Sequence, residues 1–185
     1  MKYLEFMTNA GSFKSKKLVL FPVDMDIIDY YETNKVKLEE PVPIEAHYYK
    51  EDNREEDFIG PCNPFVVSEN FKELVEELDP NAAQFFTTKC INCVTQKKYY
   101  LMHITQVISC LDKEHSTFFP DMWDPTKEQV VIGAIDSSLV PENVHMFRLG
   151  ENASLKYVSE VFYRQYRKRR LRGCSFLPRT WIGFS

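Results

Sequence analysis

Apolar positions along this chain follow two different periods, and the change of period marks its elements. Phe71, Leu74, Val75 and Leu78 stand at i, i+3, i+4 and i+7, which predicts an amphipathic helix opening at Ser68. Ser68 supplies an N-cap oxygen, and Glu69 puts an anion where the helix dipole favours one. Asp79-Pro80-Asn81 stops the helix, because a proline biases the residue before it away from helical geometry. A second helix opens at Ser159, with Val158, Val161, Phe162, Gln165 and Tyr166 tracing one face. Gly173 is placed to end it with a positive φ.

Shorter runs read as strands. Lys2–Thr8 alternates through Tyr3, Leu4 and Phe6, and Lys17–Val23 forms a second run halted by Pro22. Asp24–Tyr31 is compatible with a strand or a short helix. Ala83–Val94 and Lys98–Leu111 are two strands joined by Thr95-Gln96-Lys97, and Val130–Asp136, Asn143–Leu149 and Cys174–Leu177 complete the set. From Asn34 to Asn63 the pattern dissolves into a long loop broken by Pro41, Pro43 and Pro61, with one short strand near Ile44–Tyr49. Asp112–Glu128, with two prolines and Trp123, reads as irregular. Many strands, two separated helices and no βαβ alternation predict an α+β fold, mostly antiparallel sheet with two main amphipathic helices. We divide it into an N-terminal β/loop region, residues 1–66, and an α+β region, residues 67–185, packed as one compact unit. Val67-Ser68-Glu69-Asn70-Phe71 and Val158-Ser159-Glu160-Val161-Phe162 echo each other. Five residues do not establish a repeat, since any capped amphipathic helix tends to begin this way.

Composition supports a core: 44% of the 185 residues are hydrophobic, with 14 Phe and 10 Tyr. No stretch approaches the roughly 20 apolar residues of a membrane helix. Met1–Ala10 lacks the pattern of a secretory signal, so the expected location is cytoplasmic. Five irregularly spaced cysteines agree with a reducing compartment. The net charge of −4 hides a division: residues 1–90 carry 10 Lys/Arg against 18 Asp/Glu, and residues 91–185 carry 13 against 9. Such a dipolar chain steers charged partners.

The C-terminal two-thirds carries a resemblance. A capped helix is followed by paired strands leading to Tyr99-Tyr100-Leu101-Met102-His103. Ala134-Ile135-Asp136-Ser137-Ser138, then Val144-His145-Met146-Phe147-Arg148-Leu149, then the Val158-Ser159-Glu160 helix follow, closed by Gly173-Cys174-Ser175-Phe176-Leu177-Pro178. This order resembles the bacterial polymorphic-toxin immunity proteins of the myxobacterial type, formerly a domain of unknown function. The resemblance runs from Val67 to Pro178 and is most specific from Phe147 through Phe176. It implies stoichiometric, non-catalytic inhibition of a cognate toxin, with no cofactor. The N-terminal third lies outside it and is where partner choice would vary.

Residues with chemical potential were weighed against plainer roles. Cys90-Ile91-Asn92-Cys93 is a C-x-x-C in strand-like sequence with no second ligand pair, so ordinary thiols are expected rather than a metal site. His47, His103, His115 and His145 lack organised partners, and Asp112, Glu114 and His115 read as a solvated turn. No glycine-rich phosphate loop occurs. No catalytic, cofactor or metal residue is assigned, and a small hydrolase-like enzyme is the alternative from another class. Arg164, Arg167, Lys168, Arg169, Arg170 and Arg172 suit the end of a helix, and nucleic-acid binding through them is a further, weaker alternative. Glu39–Asp57 holds eight acids against Lys50 and Arg54. If the toxin is a nuclease, those carboxylates match its cationic site. Tyr48, Tyr49, Glu51, Asp52, Glu55, Glu56 and Asp57 are therefore the expected partner contacts, with Phe58 as a third interleaved ring and Trp123 as a second anchor. Asp136 and Arg148 fit internal pairing and partner contact equally.

Overall fold

A computed structural model describes residues 2–8, 37–39, 46–47, 56–59, 64–88, 90–91, 97–121 and 124–178. In chain order the elements are β1 (Tyr3–Thr8), β2 (Ala46–His47), β3 (Phe58–Ile59), β4 (Phe65–Ser68), α1 (Glu69–Leu78), β5 (Ala83–Thr88), β6 (Cys90–Ile91) and β7 (Tyr99–Ile104). There follow β8 (Val107–Ile108), β9 (Leu111–Pro120), β10 (Glu128–Ile135), a 3-10 turn (Ser137–Leu139), β11 (Met146–Leu149), β12 (Lys156–Ser159), α2 (Glu160–Lys168) and β13 (Cys174–Pro178). The fold is α+β with mostly antiparallel sheets: a five-stranded sheet β13-β1-β12-β11-β8, a four-stranded sheet β3-β4-β7-β5, and the pairs β9/β10 and β2/β6. Only β8/β11 and β2/β6 run parallel among the described pairings. No helix among the described residues is long and apolar enough to cross a membrane.

Both helices form where the periodicity places them, each directly off the end of a strand. The Ser68 hydroxyl accepts from the Phe71 N–H at 3.3 Å, and the Ser159 hydroxyl accepts from the Phe162 N–H at 3.1 Å. The echo noted above extends through whole units. Ser68 is 15 residues before Ala83, where β5 begins, and Ser159 is 15 before Cys174, where β13 begins. In one sheet the order is β3-β4-β7-β5, and in the other the corresponding order is β11-β12-β1-β13, all antiparallel. Registers agree as well: Phe58↔Val67, Ser68↔Tyr99 and Phe85↔Met102 in the first unit correspond to Met146↔Val158, Ser159↔Tyr3 and Phe176↔Phe6 in the second. The chain is thus an internal duplication in which β1 fills the place that β7 holds in the first unit. Equivalent residues Phe71 and Phe162 touch edge to face, ring centroids 5.8 Å apart. One apolar core spans both units, from Phe6, Phe58, Phe65 and Phe71 to Met146, Val158, Phe162 and Tyr166.

Three expectations are corrected. Lys98–Leu111 is not one strand: after Ile104 the N–H groups of Thr105 and Gln106 both turn to the Ala82 carbonyl, and Val107–Ile108 crosses to the other sheet. Asp112–Glu128 is not irregular throughout, because Leu111–Pro120 is a strand paired with β10. Its polar, solvent-facing residues hide the two-residue period, and the register shifts where Asp112 opposes Ala134 but Thr117 opposes Ile132. Gly173 does have positive φ (108°), but it does not end α2. The helix closes four residues earlier. The Leu171 N–H bonds the Tyr166 carbonyl and the Arg170 N–H bonds the Arg167 carbonyl, with Arg170 in the left-handed region at φ 57°. The short strand predicted near Ile44–Tyr49 is present as β2, while the runs Lys17–Val23 and Asp24–Tyr31 lie outside the described residues.

These two positions respond in opposite directions. A Cβ at Gly173 would lie 2.0 Å from the Phe58 carbonyl oxygen, so Gly173→Ala should cost about 3 kcal/mol from overpacking and backbone strain. Arg170→Gly removes the left-handed penalty and should stabilise by up to about 1 kcal/mol. Urea denaturation midpoints measure both.

Candidate functional site

Of the acidic contacts expected from sequence, Tyr48, Tyr49, Glu51, Asp52 and Glu55 lie outside the described residues, as does Trp123. Glu56 is half-buried, and its backbone carbonyl accepts from the Tyr99 hydroxyl at 3.2 Å. Phe58 is fully buried in the core, and Asp57 is not displayed on the surface. Its side chain is buried, accepting from the Ser68 hydroxyl at 2.8 Å and from the Arg172 N–H at 3.0 Å. The carboxylate therefore joins the cap of α1 to the loop after α2. In the second unit the counterpart of Asp57 is His145, whose Nδ1 shares a 2.7 Å hydrogen bond with the Ser159 hydroxyl. Asp79 returns the tie in the other direction, accepting from the His145 N–H at 2.8 Å and from the Gln106 amide at 2.8 Å.

The remaining polar candidates are mostly absorbed by the fold. Arg148 is fully buried, its Nε donating to the Ala153 carbonyl at 3.1 Å, so it is no contact residue. Asp136 caps the 3-10 turn, accepting from the Ser138 N–H and hydroxyl, which hold its carboxyl below the usual range. In the basic run, Arg164 pairs with Glu160 at 3.2 Å and Arg169 crosses to Glu77 of α1. Arg167 and Lys168 occupy the last turn of α2, where the dipole favours cations. His103 is buried in β7, and His115 pairs with Asp112 at 2.7 Å on the surface. Asp112 also accepts from the N–H groups of Glu114 and His115, forming the expected solvated turn inside the β9 bulge; the His115 side-chain bond first, and these backbone bonds after it, lower its pKa. Cys90 lies in β6 and Cys93 falls outside the described residues. Cys110 and Cys174 are free thiols, and burial pushes the Cys110 pKa up to about 12. Among the described residues no three His, Cys, Asp or Glu side chains gather to hold a metal.

What sequence reading missed is β9, and with it the hairpin that β9 forms with the predicted strand at Val130–Asp136. It pairs with no other described strand and carries the two most exposed large apolar side chains of the described strands, Phe119 at 57% and Val131 at 47%. Beside its base, Leu139 is 56% exposed. The available signal was Phe118-Phe119-Pro120 standing in a polar stretch with no periodic reason for two rings. Between the strands, Asp124 accepts from Thr126 and pairs with Lys127 at 2.9 Å, which keeps the turn tight and its carboxyl ionised.

A family model described as "Immunity protein family (Imm11)" matches residues 21–179. The match reaches well N-terminal of Val67, where the sequence resemblance began, and takes in the acidic segment. No curated protein matches the chain.

Asp57→Ala would strand the buried Ser68 hydroxyl and the Arg172 N–H, and should cost about 2–3 kcal/mol, read as a lower urea midpoint at unchanged slope. The Cys110 thiol sets an alkaline limit. Its proton is held more tightly in the folded state than at the ordinary 9.0, so the associated stability is complete below pH 9.0 and lost as pH rises toward about 12. Thermal melts across that window should fall, and Cys110→Ala should fall less steeply. An identical slope would remove Cys110 as a cause.

Proposed function

Because this chain belongs to the immunity protein family Imm11, we propose that it binds a cognate bacterial toxin in the cytoplasm and neutralises it by occupying a surface the toxin needs. The family match over residues 21–179 carries this reading, and it implies inhibition without turnover. The polar side chains described above support it: their hydrogen bonds are spent on joining strands to helices, which suits a rigid scaffold with a binding outer face. Preorganisation of that kind lowers the ordering cost of association.

Glu51, Asp52 and Glu55, with Tyr48 and Tyr49 beside them, are the proposed steering contacts, and a nuclease with a cationic active site is the toxin class they fit best. Trp123 is proposed as a further aromatic anchor. Asp57 stays with the scaffold. Long-range attraction acts on the encounter, so the acidic segment's effect belongs in the association rate.

Co-expression with the protein encoded beside this chain's gene should restore growth that the neighbour alone arrests; continued arrest would count against the immunity reading. The triple variant Glu51→Gln, Asp52→Asn, Glu55→Gln should slow association about tenfold at low salt and flatten its salt dependence, measured by stopped flow.

A further inference from the structure

The duplication separates what the fold requires from what it does not. Each unit consists of a hairpin, a capped helix, a returning strand and one inserted strand. Between β7 and β11 the chain makes β8, β9, β10 and the 3-10 turn, none of which has a counterpart among the described residues of the other unit. β8 extends the five-stranded sheet. The β9–β10 arm does not, and it carries the two most exposed large apolar side chains of the described strands, Phe119 and Val131.

The arm is firmly built at its base. Leu111 and Ile135 pack on the second apolar cluster with Phe147, Leu149 and Tyr157, and the Tyr157 hydroxyl donates to the Gly133 carbonyl at 2.8 Å. Asn152 donates to the Val130 carbonyl at 2.8 Å. Farther out, Val130 turns inward while Gln129 and Val131 face solvent, and Phe119 opposes Gln129 across the pair. The arm therefore leaves both Phe119 and Val131 to solvent, on two strands that pair with no other described strand, Val131 standing at the register shift between Val130 and Ile132.

Charge identifies what would cover them. Residues 111–136 hold six acids, Asp112, Glu114, Asp121, Asp124, Glu128 and Asp136, against Lys113 and Lys127, a balance of −4 that equals the net charge of the entire chain. Hydrogen bonds depress the pKa values of Asp112, Asp124 and Asp136, so the charge persists into mildly acidic conditions. Two apolar contacts framed by carboxylates suit a cationic protein surface with an apolar recess.

We propose that the β9–β10 arm anchors this chain to its toxin, with Phe119 and Val131 seated on a positively charged toxin surface. The proposal rests on the immunity reading and assigns the arm a different task from the acidic segment: it governs how slowly the complex dissociates, while the segment governs how fast it forms. Both side chains are exposed, so replacing them leaves the core intact.

The test uses the full chain and an inactivated form of the toxin domain encoded beside its gene. The double variant Phe119→Ala, Val131→Ala should keep the wild-type melting temperature, raise Kd about 30-fold or more through faster dissociation, and lose protection in co-expression. Glu114→Gln with Glu128→Gln should weaken binding less and reduce its salt dependence. Hydrogen exchange on the wild-type complex should show slowed amides across 112–120 and 128–134. Wild-type binding with an unaffected double variant, or protection confined to other segments, overturns the arm while leaving the immunity function standing. Absence of wild-type binding and of protection overturns both. A wild-type homodimer that the double variant makes monomeric would assign the arm to self-association and also overturn it.

Discussion

Two buried serines hold this molecule together. Ser68 and Ser159 each end a strand and start a helix, so their side chains sit where no water can complete the hydrogen bonding. Each accepts from a first-turn amide, and each needs one more partner. Asp57 serves Ser68, and His145 serves Ser159. Those partners stand at the start of the neighbouring hairpin strands, so one hydroxyl fixes a strand, a helix and a hairpin together. The backbone around Asp57 then bonds Arg172 of the other unit, while Asp79 bonds the backbone of His145. Each half is pinned by a residue just beyond the other half's helix, and Phe71 and Phe162 close the space between.

This scheme explains which parts of the fold were legible in sequence. Helices whose faces are set by 3.6 periodicity and a capping serine were readable from Ser68 and Ser159 alone. Strand breaks caused by tertiary bonds were not. Nothing local in Thr105-Gln106 indicates that both amides will turn to Ala82. The end of α2 misled for a related reason: Gly173 has the conformation expected of it, but its lack of a side chain is needed for a close approach to Phe58, and Arg170 takes the left-handed position instead. The repeated Val-Ser-Glu-x-Phe was visible, yet only the strand registers give it meaning.

The candidate site was less legible still, since charge patterning says that carboxylates attract cations but not which carboxylates are free. Asp57 sits at the end of an acidic run and nothing in its local sequence shows that its carboxylate is buried. Conversely, β9 lacked a period because its polar, outward-facing residues and its register shifts break the alternation. Its functional interest comes from that same property. A segment outside the duplicated frame can change its side chains without disturbing the packing that Ser68 and Ser159 organise.

The position of β1 has a consequence for how the molecule comes into being. Tyr3 pairs with Ser159, and Thr8 pairs with Cys174, so β1 has its docking place formed by strands that follow it in the chain by more than 150 residues. Until β12 and β13 are made, Phe6 lacks the strands that flank it in the finished sheet. Such long sequence separations slow folding, because loop closure must be met before the contacts that reward it exist. The same arrangement ties the beginning of the described fold to its end, so the core of the second unit is complete only when the whole frame has closed.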